Sequence, residues 1–249
     1  MGNFEFFDEK NYDLNLESKK GVMIIHGFSS TTFETHPLAQ FLSRKGFRVS
    51  ARNLPGHGTT VEDCNATKYT DWLRFVDENL AELSTECDEL YVIGLSMGGV
   101  LGLYLASLFP INKLVLGATV LNFKEPFKVN YIVPLVNRFI VKQKKVGKFT
   151  KNKYKRYSGY DHYPLIALNE FRKLNNYVIK RLKHVKCPTL YVHSKADKLS
   201  VPSNVDLVMN NISSEIKNKL IVENASHHLF YDSQDKEQIF NRIYDFING

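Results

Sequence analysis

One serine of this chain stands between two glycines, in the segment Gly94-Leu95-Ser96-Met97-Gly98, directly after the apolar run of residues 90–93. A serine in this Gly-x-Ser-x-Gly pattern, leaving a strand and entering a helix, is typical of a nucleophile elbow. Glycine two positions before and after the serine indicates a turn too tight for side chains. A serine hydroxyl needs a base to take its proton and N–H donors to stabilise an oxyanion, so the rest of the chain must supply those groups.

An acid and a histidine follow the serine in the order that such a catalytic triad requires. Asp197 lies just past the apolar run 189–193, and His227 lies after the run 219–223. Both runs are typical of parallel strands, whose carboxyl ends form the ligand crevice of an open sheet. We therefore expect His227 to be the general base and Asp197 to orient it and stabilise its cation. His228 stays open as the alternative base.

Two backbone N–H groups are candidates for the oxyanion hole. Met97 begins the helix after the serine, where the helix dipole also favours negative charge. Phe28 lies in the loop after the early apolar run. His26 and His57 precede glycines in turns on the N-terminal side of Ser96, and we expect them to hold these loops by hydrogen bonds. No pair of histidines has the spacing of a metal site, so neither a metal nor a cofactor is expected.

Short apolar runs alternate with amphipathic stretches along most of the chain. This alternation predicts an α/β fold with a mostly parallel central sheet flanked by helices. Strands are expected at residues 22–26, 47–53, 90–94, 113–117, 189–193 and 219–223, and helices at 35–45, 69–83, 97–109, 203–210 and from about 232 onward. The alternation breaks between residues 122 and 186, where no strand is evident. We therefore predict a core of residues 1–121 and 187–249 with an inserted helical cap, or lid, of residues 122–186.

Composition favours one large globular domain. The chain has 249 residues, of which 43% are hydrophobic, and this is enough for a well-buried core. Its N-terminus lacks the basic and apolar regions of a signal peptide, and no apolar tract approaches the roughly 20 residues of a membrane span. The three cysteines are widely spaced, which fits reduced thiols. A soluble, cytoplasmic protein is expected, and its oligomeric state is left open.

The net charge of +7 comes from one segment of the chain. Residues 121–160 hold eleven Lys and Arg against a single acid, Glu125, and the remainder is slightly acidic. The segment lacks the Arg-rich and aromatic patterns of nucleic-acid-binding modules, so no nucleic acid is expected as a partner. Two interpretations stay open for the apolar run 129–141 and the basic run that follows it. They form either a lid that lines an acyl pocket and weakly contacts anionic membrane surfaces through lysines such as Lys142, Lys144, Lys145 and Lys148, or an ordinary amphipathic cap.

Three motifs together resemble the α/β-hydrolase superfamily: Ile24-Ile25-His26-Gly27-Phe28, Leu54-Pro55-Gly56-His57-Gly58 and Gly94-Leu95-Ser96-Met97-Gly98-Gly99. Within it, the chain is similar to bacterial carboxylesterases and monoacylglycerol lipases with a small cap, over about residues 20–247. The resemblance implies an acid after the seventh strand and a histidine after the eighth, which match Asp197 and His227. It also implies hydrolysis of a small acyl ester through an acyl-enzyme intermediate. The doublet His227-His228 departs from the single histidine usual in this group.

Other functions use the same residues. A thioesterase or an acyltransferase would need the same triad, and a ligand receptor could keep the triad without rapid turnover. Aspartate nucleophiles define the dehalogenases and epoxide hydrolases of the superfamily, so Ser96 argues against those activities. The sequence therefore predicts a carboxylic ester hydrolase and leaves these alternatives open.

Overall fold

The computed structural model describes residues 10–145, 159–231 and 233–249. Its strands are β1 (Tyr12–Leu14), β2 (Lys20–Ile25), β3 (Arg48–Ala51), β4 (Glu89–Leu95), β5 (Lys113–Gly117), β6 (Lys142–Lys144), β7 (His162–Pro164), β8 (Thr189–Ser194) and β9 (Lys217–Val222). Seven of them form one sheet in the order β1-β3-β2-β4-β5-β8-β9. β1 is antiparallel to β3, and every other pair in this sheet is parallel. The predicted α/β fold with a mostly parallel sheet is thus confirmed.

Helices cover both faces of this sheet. They are α1 (His36–Arg44), α2 (Val61–Ala66), α3 (Tyr69–Glu86), α4 (Met97–Ala106), α5 (Val133–Val136), α6 (Leu165–Ile179), α7 (Ser203–Asn211) and α8 (Lys236–Asn248). One apolar core lies under α1 and α8, and a second lies under α3, α4 and α7. Neighbouring residues of β4 enter opposite cores, Val92 the second and Ile93 the first. A strand buried on both faces needs apolar residues at successive positions, which explains its continuous apolar run.

β5 and β8 are adjacent in the sheet but are joined by a long connection outside it. This excursion contains α5, the paired strands β6 and β7, and α6. α6 packs into the second core through Phe171 and Leu174, and its Asn175 side-chain amide donates to the carbonyls of Val120 and Leu121. In the described part of the chain, every helix is too short or too polar to cross a bilayer. Residues 146–158, part of the predicted basic run, lie outside the described residues.

The expectation that residues 122–186 contain no strand is wrong. β6 and β7 pair antiparallel, with Lys142 opposite Pro164. Each strand has only three residues, and all three of β6 are exposed lysines and glutamine. Such a strand has no buried face and hence no apolar pattern in the sequence. The last helix also begins later than expected, at Lys236 rather than near residue 232.

Candidate active site

Ser96 occupies a tight turn between β4 and α4. Its backbone has φ 57° and ψ −115°, a conformation that residues other than glycine rarely adopt. A Cβ atom on Gly94 would lie 2.2 Å from the carbonyl oxygen of Gly98, and one on Gly98 would lie 2.1 Å from that of Ile25. The chain therefore approaches itself too closely for any other residue at these two positions. The tight strand-to-helix turn that the motif predicts is therefore present.

Asp197 and His227 meet at the carboxyl ends of β8 and β9. His227 Nδ1 lies 2.8 Å from Asp197 Oδ2, and the two side chains are 11% and 0% exposed. The other carboxylate oxygen, Oδ1, accepts the N–H groups of Leu199 and Ser200 at 2.7 and 3.1 Å. Burial alone would raise the pKa of Asp197, but His227 and these N–H groups hold it below its ordinary value. The ionised carboxylate favours the tautomer in which His227 Nδ1 carries the proton and Nε2 is a base.

The loop after β2 lies directly against the serine. A Cβ atom on Gly27 would lie 3.2 Å from Ser96 Cβ, so the neighbouring Phe28 belongs to the same small region as Ser96 and Met97. His26 supports this loop: its Nε2 accepts the Leu54 N–H at 3.0 Å, and its Nδ1 lies 2.8 Å from the Gly27 carbonyl oxygen.

Two early histidines stay uncharged inside this region. His57 Nδ1 lies 3.1 Å from the Pro55 carbonyl oxygen. Burial lowers the pKa of His26 and lowers that of His57 to about 3. Both histidines therefore hold turns near the serine, as the sequence predicts for them.

His228 has a carboxylate partner of its own, Glu34. His228 Nδ1 lies 3.1 Å from Glu34 Oε2, whereas Asp197 pairs with His227. The sequence did not single out Glu34, which ends the short turn Thr32–Glu34 before α1. An acid is ordinary at the start of a helix, and only the tertiary structure reveals that this one is buried, at 2% exposure.

An aromatic wall extends from Phe28 into the excursion between β5 and β8. The ring centroids of Phe28 and Phe171 are 5.4 Å apart, and those of Phe171 and Phe123 are 5.2 Å apart. Trp72 closes the other side of Phe28 at 6.3 Å. Among the residues described, no cluster of three His, Cys, Asp or Glu side chains could hold a metal ion.

Comparison with known proteins identifies the family of this chain. A family model described as serine aminopeptidase, S33, matches residues 17–234. The thermostable monoacylglycerol lipase of Bacillus sp. (strain H-257) is 30% identical over 238 residues, which cover 91% of this chain and 90% of that protein. The carboxylesterase of Bacillus subtilis (strain 168) is 22% identical and covers 92% of each chain.

Solved structures extend the likeness to the fold. A structure described for LipS and LipT, two metagenome-derived lipolytic enzymes, has a TM-score of 0.88 at 28% identity, with 96% of this chain and 97% of that chain covered. A soluble variant of the monoglyceride lipase of Saccharomyces cerevisiae has a TM-score of 0.77 at 18% identity, with coverage of 96% and 90%. The chain therefore belongs to the serine aminopeptidase S33 family of α/β-hydrolases and is a hydrolase of the lipase and esterase class.

Proposed function

We propose that the protein hydrolyses carboxylic esters and that Ser96, His227 and Asp197 are its catalytic triad. One observation carries the proposal: a serine in a strained elbow shares the carboxyl edge of the sheet with a buried Asp197–His227 pair. The Glu34–His228 contact supports it further, because Glu34 also bonds to Gly27 beside Ser96. The histidine loop and the serine turn are thereby neighbours, although they lie far apart in the sequence.

The reaction proceeds through an acyl-enzyme. His227 Nε2 takes the proton of Ser96 Oγ as the oxygen attacks the carbonyl carbon of the ester. The resulting oxyanion accepts hydrogen bonds from the N–H groups of Phe28 and Met97. When the intermediate collapses, His227 returns the proton to the leaving alcohol and the acyl group stays on Ser96. Water, activated by His227, then releases the acid and regenerates the serine.

The substrates that fit this site best are acyl esters of small alcohols. The partly exposed rings of Phe28 and Phe123, backed by the buried ring of Phe171, offer an apolar surface for an acyl chain beside the proposed oxyanion hole. Two of these rings come from residues 122–186, which we propose form the cap over a core of residues 1–121 and 187–249. Because the sequence relatives include a monoacylglycerol lipase and a carboxylesterase, monoacylglycerols and short- to medium-chain alkyl esters are the two classes to compare.

The cap also offers a surface for weak contact with anionic membranes. Phe127, Tyr131 and Leu135 follow one another at helical spacing and are 69%, 63% and 75% exposed, and Phe139 is 88% exposed. Such a run of exposed apolar side chains in a basic segment is suited to a lipid surface.

The lysines contribute less to this surface than their number suggests. Lys145 turns inward to donate to Ser29 Oγ, and Lys142 pairs with Glu62 at 2.8 Å. Lys148 lies outside the described residues. The expectation that Lys145 faces a membrane is therefore wrong, and the exposed apolar side chains are the main candidates for lipid contact.

Turnover of a graded series of p-nitrophenyl esters and monoacylglycerols tests the proposed function. We expect rapid multiple turnover that Ser96→Ala abolishes, and His227→Ala should lower kcat by about 10³-fold or more, far more than His228→Ala. A larger loss in His228→Ala than in His227→Ala would overturn the choice of base. A single slow turnover would favour a receptor, and a preference for acyl thioesters over oxygen esters would favour a thioesterase.

A further inference from the structure

Glu34 is a buried carboxylate that the proposed reaction does not use, and its two oxygens have different partners. Oε1 accepts the Gly27 N–H at 2.5 Å, and Oε2 lies 3.1 Å from His228 Nδ1. Gly27 precedes Phe28, and His228 follows His227. Glu34 therefore contacts the residue before Phe28 and the residue after His227, both of which the proposed mechanism needs. The second contact joins residues 194 positions apart in the sequence.

Hydrogen bonds hold both of the peptide groups that flank Gly27. Leu54 N–H donates to His26 Nε2, so His26 Nδ1 carries a proton and donates to the Gly27 carbonyl oxygen. The N–H of Gly27, which belongs to the preceding peptide, is fixed by Glu34. In a trans peptide the carbonyl and the following N–H point in opposite directions, so the His26 bond to the Gly27 carbonyl sets the direction of the Phe28 N–H, and the Glu34 bond anchors Gly27 on its other side.

The charge of Glu34 lies close to the reacting serine. A Cβ atom on Gly27 would be 3.0 Å from Glu34 Oε1 and 3.2 Å from Ser96 Cβ. An uncompensated carboxylate here would repel the negative charge that develops on the oxyanion. A nearby cation is therefore needed if the carboxylate is to position Gly27 without opposing the reaction.

His228 is the group best placed to supply that positive charge. Burial alone would lower the pKa of His228 and raise that of Glu34, but their hydrogen bond and mutual attraction reverse both shifts. The other ionisable groups that interact with Glu34 are His26 and His57, which burial keeps neutral, and Lys145, whose pKa burial lowers to about 8. Lys145 donates to Ser29 Oγ, whereas His228 contacts the carboxylate directly.

We propose that Glu34 is a positioning residue that ties the oxyanion loop to the histidine loop, with protonated His228 as its counter-charge. The inference rests on the proposed ester hydrolysis at Ser96. It assigns the second histidine of the doublet a role different from that of the first. His227 moves protons in the reaction, and His228 keeps one.

Four variants separate positioning from charge. Glu34→Ala removes the bond to Gly27 and should lower kcat by about 10²-fold while KM changes little, since one oxyanion donor is worth that much. Glu34→Gln keeps an oxygen for the Gly27 N–H and should recover most of that loss. His228→Ala leaves the carboxylate bare and should lower kcat by about tenfold or more. The double variant Glu34→Gln/His228→Ala should be faster than His228→Ala alone, because it removes the unpaired charge.

The affinity of a boronic acid, which forms a tetrahedral adduct with the serine, provides a second readout. It should weaken in Glu34→Ala in step with kcat, which a general loss of stability would not cause. Asp77→Ala is the matched control: it removes a partly buried carboxylate that accepts from Tyr104 between α3 and α4, away from the serine. Its kcat and boronate affinity should stay at the wild-type values even if its melting temperature falls.

Two results would overturn the inference. One is an unchanged kcat in Glu34→Ala, and the other is a double variant no faster than His228→Ala. Either result would leave the proposed function intact as long as Ser96→Ala abolishes turnover. Full turnover in Ser96→Ala would instead refute the proposed function, and the inference with it.

Discussion

The backbone of Ser96 is strained, and this strain does not depend on its hydroxyl group. Its φ of 57° with ψ of −115° lies where glycine is tolerated and a Cβ atom is not. We expect the free energy of unfolding of Ser96→Gly to be about 1 kcal/mol higher than that of Ser96→Ala. Both variants lack the hydroxyl, and only the alanine variant keeps a Cβ atom in the strained conformation. Urea denaturation of the two inactive variants measures this difference.

Ser107 supplies the control for that comparison. It ends α4 with an ordinary φ of −80°, so glycine there should give a lower free energy of unfolding than alanine. If glycine is less stabilising than alanine at position 96 as well as at position 107, the backbone at Ser96 is not strained.

The Glu34–His228 pair should make stability depend on pH in a bell-shaped manner. Glu34 has its pKa lowered from 4.5, so its contribution is complete above that value and is lost as the pH falls through the lowered pKa. His228 has its pKa raised from 6.5, so its contribution is complete below that value and is lost as the pH rises through the raised pKa. The difference in unfolding free energy between wild type and Glu34→Gln/His228→Asn should therefore peak between pH 4.5 and 6.5.

Denaturation of both proteins across the pH range measures this difference. Effects of titrating groups that do not interact with the pair cancel in the subtraction, whereas those of Lys145 and Asp197, which interact with it, do not. A difference that is the same at acid, neutral and alkaline pH would show that the pair carries no charge. Glutamine has the size of glutamate, and asparagine at position 228 offers an amide N–H in place of the Nδ1–H of the imidazole ring it replaces, so a neutral pair can still form a hydrogen bond.

At single residues, the sequence predicts what local chemistry dictates and misses what tertiary contact creates. Ser96 stands in a motif whose glycines follow from one tight turn, and Asp197 and His227 follow apolar runs in the required order. The Glu34–His228 contact joins two turns with no shared pattern. For that reason the sequence does not reveal it, and within the doublet His227-His228 the sequence favours His227 as the base without assigning a role to His228.

At the scale of elements, the buried parallel strands were the easiest to predict. β5 lies at residues 113–117 as expected, and β2, β4 and β8 differ from their predicted bounds by two residues or fewer. Their apolar runs reflect burial on both faces, which the sheet imposes on its central strands. β1 and β6 have three residues each, with no fully buried position, and depend on their partner strands. An edge strand of this kind leaves almost no trace in the sequence.

Within the excursion between β5 and β8, helices were predicted but not their positions. α6 buries Ala167, Phe171, Leu174 and Val178 on one face. α5 has only four residues, of which Val133 alone is buried. The apolar run 129–141 was open to two interpretations because a run of that length fits a buried helix as well as a surface one. In the structure, much of this run is exposed to solvent.

At the scale of the molecule, the large exposed apolar residues of the described chain concentrate in one stretch of the proposed cap. Of the large exposed hydrophobic residues in the described chain, seven fall between residues 127 and 141. The rings of Phe127 and Tyr131 are 5.4 Å apart and form a continuous surface. Lys128 and Arg138 stand among these residues in the sequence. If this surface meets a lipid layer, it brings the proposed cap close to insoluble esters.

Sedimentation with anionic vesicles tests this contact. Leu135→Ser/Phe139→Ser should weaken partitioning onto the vesicles by about tenfold or more, because two largely exposed apolar side chains would otherwise leave water for the lipid. Leu16→Ser/Ile216→Ser is the matched control, because each of those residues is an exposed apolar residue at 53% exposure. Leu16 follows β1 and Ile216 precedes β9, the two edge strands of the sheet, so neither belongs to the stretch 127–141. Neutral vesicles should bind the wild type less well than anionic ones, because the neighbouring basic residues add attraction only to a negative surface. Equal partitioning of the two double variants would mean that this side of the cap does not contact the membrane, and the exposed residues would then need another explanation, such as contact with the acyl chain itself.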